Sequence, residues 1–397
     1  MGKEHGVIKE CRNIRIVHFV IDDKFIDPMI FSFDSLGNCE NQYILIRNMS
    51  FQKIRSIKSK HVLLRSRWQV KKDIQNENFA DFIILHSLYS LPMDLVPIIN
   101  KRIKVVWFSW GYDLYENTPP IEPIIKISNM FGNITSEYVN KSKTIRVSLK
   151  KRIRKAISLY LWPVSNFYLR KTLLRINYFS GVIPEEYELL KLNVPYFDAN
   201  KVGFSYPLSI KDMYSEDKIN SDDFILGNNI LLGNSSTETN NHLDVLFLLQ
   251  NEGIIDRKLI LPLSYGSDLY RQYVVAEGRK LFKENFIPIM TFMPFEEYNS
   301  IIKSCSIAIF AHERQQALGN ILMCLWNGCK VFLSKNSIVY KYLKSLGTVI
   351  YSIQDDLTRD FVASKMYESD IYKNRGIITV NYSSKSINSK IEAILHL

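Results

Sequence analysis

Short apolar runs alternate with helix-length segments along most of this chain, and that alternation limits the fold more than any other feature. "IRIVHFVI" (14–21), "QYILIR" (42–47), "DFIILH" (81–86) and "KVVWFSW" (104–110) each fit a buried strand. A further run, "NYFSGVI" (177–183), leads into "PEEYELLKL", a helix opened by Pro184. Residues 92–100 suit a short helix. A polar stretch, 208–229, reads as a linker, and the alternation then resumes. Strands are expected at 230–232, 258–263, 287–292, 306–311, 329–333 and 348–351. Helices are expected at 240–250, 268–283, 295–304, 316–327 and 337–345, with a last one over 386–397. Strands separated by helices argue for parallel sheets covered on both faces.

The 397 residues exceed one typical core, so two α/β domains facing across a cleft are expected. The boundaries are drawn at 1–208, 209–385 and a C-terminal helix 386–397. The odd count of five cysteines, Cys11, Cys39, Cys305, Cys324 and Cys329, matches no zinc spacing and reads as free thiols in a reducing compartment. The start is polar, no run reaches the length of a membrane span, and the expected location is the cytoplasm.

The net charge of +11 is concentrated. Residues 141–175 hold eleven Lys and Arg and no Asp or Glu. Among them stand Leu159, Tyr160, Leu161, Trp162, Phe167 and Tyr168. Basic residues interleaved with aromatics and leucines suit an anionic bilayer surface. A solvated basic helix is the plain alternative, and nucleic acid a third.

Open parallel sheets bind ligands beyond the carboxyl ends of their strands, so the loops there are the candidate sites. In "ILLGNSSTETNNHLDVL" (230–246), Gly233, Asn234, Ser235 and Ser236 stand between a strand and a helix. Free amides at a helix start favour an anion, and Thr239 or Asn240 can cap it. In "IFAHERQQALGNILMCLWNGCKVFL" (309–333), Glu313, Arg314, Gln315 and Gln316 precede an apolar helix. Arg314 could clamp a phosphate and Glu313 could accept from sugar hydroxyls; an Arg–Glu pair holding the helix end is the alternative. In "VVWFSWGYDLYE" (105–116), Trp110, Gly111, Asp113, Tyr115 and Glu116 put aromatic faces beside carboxylates, as a sugar ring requires. His86, Asp22 and Asp23 end other strands. The chain has no DxD and no cluster with metal-ligand spacing, so a metal-free, cofactor-free chemistry is expected; without GxSxG, a hydrolase is disfavoured.

At "WGYDLYE" (110–116), "ILLGNSSTETNNHLDVL", "PFEEYNSIIKSC" (294–305) and "ERQQALGNILMCLWNGCKVFL" the sequence resembles the TDP-N-acetylfucosamine:lipid II N-acetylfucosaminyltransferases, glycosyltransferase family 56. The resemblance implies a GT-B fold of two Rossmann-like domains, the second holding a nucleotide sugar and the first an acceptor. It implies a TDP-linked 4-acetamido-4,6-dideoxygalactose as donor and an undecaprenyl-diphosphate-linked saccharide as acceptor, at the inner face of the membrane. The family lacks a glutamate at the position of Glu313, and "DDKFID" (22–27) departs from its His-rich loop.

On this reading the donor side comprises Gly233, Asn234, Ser235, Ser236, Asn240, His242, Tyr265, Glu313, Arg314, Gln315, Gln316, Gly319 and Asn320. The acceptor side comprises Asp22, Trp110, Gly111 and Tyr115. A general base is sought among Asp113, ranked first, His86, Glu116 and Asp23. Two rival functions are a nucleotide-sugar epimerase or other sugar-phosphate enzyme, and a basic nucleic-acid-binding protein.

Overall fold

The computed structural model describes residues 13–37, 39–47, 54–116, 121–144, 149–203 and 227–397. Residues 208–226 of the expected linker 208–229, and Cys11, lie outside them.

The apolar runs form two parallel sheets. The first has strands β1 (Ile14–Val20), β2 (Cys39–Ile46), β3 (Val62–Arg65), β4 (Phe82–His86), β5 (Lys104–Phe108), β6 (Tyr178–Ser180) and β7 (Asn200–Lys201), in the order β3-β2-β1-β4-β5-β6-β7. The second has β8 (Asn229–Leu232), β9 (Leu259–Pro262), β10 (Phe286–Ile289), β11 (Cys305–Phe310), β12 (Lys330–Leu333) and β13 (Tyr351–Ser352), in the order β10-β9-β8-β11-β12-β13. Each order reverses once, between β1 and β4 in the first sheet and between β8 and β11 in the second. Chain leaving these strands diverges to opposite faces and opens a crevice at the carboxyl edge. The loops after β1, β4, β8 and β11 therefore sit where a ligand can enter.

Central strands such as β4 and β12 are buried along their whole length, because helices cover both faces. Val17, Phe19, Ile83, Leu85, Val105 and Trp107 face one core, and Ile16, Val20, Ile84, Val106 and Phe108 face another, as the two-residue period of a strand requires. In the second sheet Ile230, Leu232, Leu261, Ile307 and Ile309 pack against the helices His242–Asn251 and Asp268–Phe282.

Two helices pack on the domain other than the one that flanks them in the chain. The helix Asn133–Thr144 lies within the first 208 residues, yet Ile134 and Tyr138 pack on the second core. Asp244 caps that helix, accepting from Ile134 N–H at 2.9 Å and Thr135 N–H at 3.1 Å. At the other end, Ile387, Ile391 and Ile394 of the helix Ser384–Leu395 close the outer core of the first domain.

The basic segment is helical over Leu149–Arg175. Its C-terminal part is anchored: Leu169 and Leu173 are buried, Thr172 donates to Met93 O, and Arg175 binds the carbonyls of Asn100 and Ile103. Residues 160–164, Tyr-Leu-Trp-Pro-Val, are all exposed, more than a full turn with no packed face. Among the described residues no helix is long and apolar enough to cross a membrane. Cys305, Cys324 and Cys329 are buried free thiols and Cys39 is a half-buried one.

Candidate active site

The loop after β8 is held by its own side chains. Gly233 stands at φ +68°, a conformation that favours glycine, and a Cβ there would sit 2.6 Å from His242 Nε2. Asn240 is fully buried; its Nδ2 donates to Ser235 O and Oγ at 3.1 Å and Thr237 Oγ1 at 2.9 Å, and its Oδ1 accepts from Asn234 N–H. Ser236 gives both its N–H and its hydroxyl to Tyr265 O at 2.7 Å. Gly233 N–H goes to Ile309 O. The side chains of Ser235, Ser236 and Asn240 are thus engaged in shaping the loop, and the His242 ring packs beneath Gly233. The amides of Gly233, Asn234 and Ser236 are engaged as well.

The helix expected from 240 starts at His242, after a 3-10 turn over Glu238–Asn240. Neither Thr239 nor Asn240 is its cap. Asn241 precedes it at φ +52°, and its side chain instead joins Ala311 O, Met130 O and Gly132 N–H. His242 is buried with both ring nitrogens unpartnered, and burial lowers its pKa to about 3. It is neutral at physiological pH.

The loop after β11 joins this one. Gln316 Nε2 donates to Asn234 Oδ1 at 3.0 Å, and its Oε1 accepts from Thr239 Oγ1 at 2.7 Å. Asn234 Nδ2 donates to Tyr265 OH at 3.0 Å. Asn234, Thr239, Tyr265 and Gln316 thus form one connected, partly open wall. The apolar helix runs over Leu318–Trp326, and Ala317 before it, at φ +58°, offers no side-chain cap. A helix leaves its first-turn amides without intrahelical partners. Those of Leu318, Gly319 and Asn320 are the open amides here, with the positive end of the helix dipole behind them. His312 is buried and neutral, its pKa lowered to about 3 by burial and by Arg314.

Glu313 turns away from this wall. Its Oε1 accepts from Ser334 Oγ at 2.7 Å, and burial raises its pKa. Arg314 pairs with Glu116 and not with Glu313, so the alternative of an Arg–Glu pair within this loop is corrected. Arg314 instead reaches across the domains: its Nη2 lies 3.0 Å from Glu116 Oε1, and its guanidinium stands 5.9 Å from the Tyr115 ring centroid. Gln315 approaches Gly111 so closely that a Cβ on Gly111 (φ +78°) would lie 2.9 Å from Gln315 Oε1.

On the first domain, Asp113 is fully buried. Its Oδ2 accepts from Leu88 N–H and Trp107 Nε1–H, and its Oδ1 from Trp110 N–H, all at 2.9 Å. Burial raises its pKa, against the pull of those donors. The carboxylate ties the β4 and β5 loops together, and its burial keeps it from an acceptor hydroxyl. His86 is also fully buried: its Nε2 pairs with His18 Nδ1 at 3.0 Å inside the core, and burial holds its pKa well below the ordinary value. The two highest-ranked bases are therefore structural. Asp22 is spent too. Burial acts to raise its pKa, but N–H donors from Arg55, Ser56 and Ile57 outweigh it and the net shift is downward.

Asp23 differs. One oxygen accepts from Phe25 N–H at 3.0 Å, the residue is only part-buried, and burial raises its pKa. Its charge acts on Tyr112, whose hydroxyl is 2.6 Å from Ser87 Oγ, and the Phe25 and Trp110 rings meet edge to face at 5.7 Å. Ser87 holds φ +95°, a strained value for a non-glycine residue. Tyr112 and Ser87 were not singled out from the sequence; neither lies in a recognisable pattern beyond Tyr112's place in "WGYDLYE". Tyr115 is buried, its hydroxyl facing the buried Glu186 carboxyl, whose pKa burial raises to about 7. Among the described residues no group of three His, Cys, Asp or Glu could hold a metal ion.

Residues 196–383 match the family described as 4-alpha-L-fucosyltransferase, glycosyl transferase group 56. Among solved structures, a glycosyltransferase from Rickettsia africae aligns over 96% of this chain and 97% of its own, with 11% identity and a TM-score of 0.61. Anabaena HepE, solved with UDP and glucose, aligns over 97% of this chain and 100% of its own, with 9% identity and a TM-score of 0.59. The chain spans 59% of the matched chain of the GtfA/B complex, at a TM-score of 0.46. The loops after β8 and β11 thus lie inside a stretch that carries the glycosyl transferase group 56 pattern, and the chain has the GT-B fold of two Rossmann-like domains.

Proposed function

We propose that this enzyme transfers a fucose-type sugar, N-acetylfucosamine first among them, from a TDP-linked donor to a lipid-linked saccharide at the inner face of a bacterial membrane in surface polysaccharide synthesis. One observation carries the reading. The buried guanidinium of Arg314 and the open amides of Leu318, Gly319 and Asn320 stand at the switch point of the second sheet, opposite Gly111 and Glu116 of the first domain. Such a corner suits a diphosphate. The match over 196–383 supports the sugar class. The exposed 160–164 turn beside the basic residues of 149–155 supports the membrane surface.

In this mechanism the bond from the anomeric carbon to the diphosphate oxygen breaks, and the leaving group keeps the electron pair. Arg314 and the open amides stabilise the charge that grows there, without a divalent cation. An acceptor hydroxyl forms the new bond, and its proton passes to Asp23. Trp110 offers a face to the acceptor sugar, with Tyr112 and Ser87 beside it. Asn234, Tyr265 and Gln316 line the donor sugar.

The test is thermal stabilisation by TDP, UDP and GDP, followed by a transfer assay with labelled TDP-sugar and lipid-linked acceptor. TDP is expected to raise the Tm by mass action. Absence of a shift with all three nucleotides at millimolar concentration would contradict the proposal. Donor turnover without acceptor would favour an epimerase. Salt-sensitive RNA or DNA binding would favour the nucleic-acid alternative.

A further inference from the structure

Arg314 is 8% exposed, and a buried cation requires an anion. The anion it has comes from the other domain, 198 residues away, and is poorly held. The Glu116 side chain is 53% exposed, against 10% for Arg314. Only one carboxylate oxygen reaches it, on Nη2, while the buried Nε has no partner among the described residues. A guanidinium presents Nε and Nη2 as one edge that suits two oxygens of a phosphate. The pair is therefore unequal: Glu116 can leave into water at little cost, and Arg314 cannot.

We propose that Glu116 stands in for the donor's diphosphate in the empty enzyme, and that donor binding displaces it from Arg314. This rests on the transferase reading above and adds a role for Glu116. The residue keeps Arg314 aligned across the cleft until the diphosphate takes both its nitrogens. Two anions on one buried guanidinium would repel each other, so exchange is favoured over simultaneous binding. Glu116 thus acts as a positioning residue and a built-in competitor, and the donor site and the contact between domains compete for one cation.

The experiment measures Kd by calorimetry for TDP, UDP, GDP and inorganic pyrophosphate. The wild type, Glu116→Gln, Glu116→Asp, Arg314→Ala and the Arg314→Ala/Glu116→Gln double variant are compared, with Tm as a folding control. Removing the competing charge is expected to tighten nucleoside diphosphate and pyrophosphate binding about two- to fivefold in Glu116→Gln. Glu116→Asp, with its shorter reach, should give part of that gain. Arg314→Ala is expected to weaken binding at least about tenfold, and adding Glu116→Gln to it should change nothing further. A merely structural Glu116 would instead give weaker or unchanged binding in Glu116→Gln, and that result overturns the exchange while leaving the transferase reading standing. A gain that persists in the Arg314→Ala background overturns it as well. If neither wild type nor Glu116→Gln binds any of these probes, the transferase reading falls and takes the exchange with it.

Discussion

Acid should unfold the second domain before the first. His242 and His312 are buried and neutral there, each with a pKa lowered from 6.5 to about 3, by burial in both cases and also by Arg314 at His312. Their folded values lie below their unfolded ones, so the unfolded chain binds the protons. The stability they allow is fully present above pH 6.5 and is lost as pH falls toward 3. At pH 5.5, keeping one such histidine neutral costs about 1.4 kcal/mol, or about 3 kcal/mol for the two. The first domain holds a comparable pair: His18, lowered to about 4, and His86, lower still, both by burial. It also holds Glu186, raised by burial from 4.5 to about 7. That shift has the opposite sign: the folded form takes a proton first, so lowering the pH from 7.5 to 5.5 returns about 2 kcal/mol. The first domain should therefore lose only about 1 kcal/mol over that interval and the second about 3. Hydrogen exchange read by mass spectrometry, corrected for intrinsic rates, separates peptides of β8 and β11 from those of β1 and β4. Larger loss of protection in β8 and β11 at pH 5.5 is expected, and His242→Leu should remove about half of it. Equal loss in both sheets, or none, would refute the reasoning.

Other outcomes follow from the site. Asp23→Asn should lower kcat by about two to four orders of magnitude and leave nucleotide Kd unchanged, in a transfer assay beside calorimetry. Asp113→Ala strands three donors in the core and should cost about 3 kcal/mol or more, seen as a lower Tm and urea midpoint. Gly111→Ala forces a strained φ and a contact with Gln315, and should lower the Tm and weaken the interdomain contact by about 1–2 kcal/mol. Replacing Lys150, Lys151, Arg152, Arg154 and Lys155 with Gln should lower sedimentation with anionic liposomes, and Trp162→Ser should do so without changing the charge.

The two-sheet architecture was legible because buried parallel strands leave continuous apolar runs. Ile14–Val20, Phe82–His86 and Lys330–Leu333 fall within a residue or so of their expected bounds. The thinner elements were not legible. Val62–Arg65 is a short, partly exposed edge strand flanked by charged residues, and the helix Asn133–Thr144 is polar apart from the few residues it sets against the other domain. The loops at the strand ends were identified, but the duties inside them were not. Asp113 and Asp23 look alike in the sequence, and what separates them is tertiary: Trp107, Leu88 and Trp110 surround one carboxylate and leave the other part-open. The same holds for Asn240, whose partners are set by the turn it creates, and for Arg314, whose partner Glu116 lies 198 residues away.

The most direct measurement is a crystal structure of the protein with TDP bound. A diphosphate within hydrogen-bond reach of Arg314 Nε and Nη2 and of the amides of Leu318–Asn320, with Glu116 turned out into solvent, is the predicted result. A nucleotide bound away from that corner, with the Arg314–Glu116 pair intact, would contradict it.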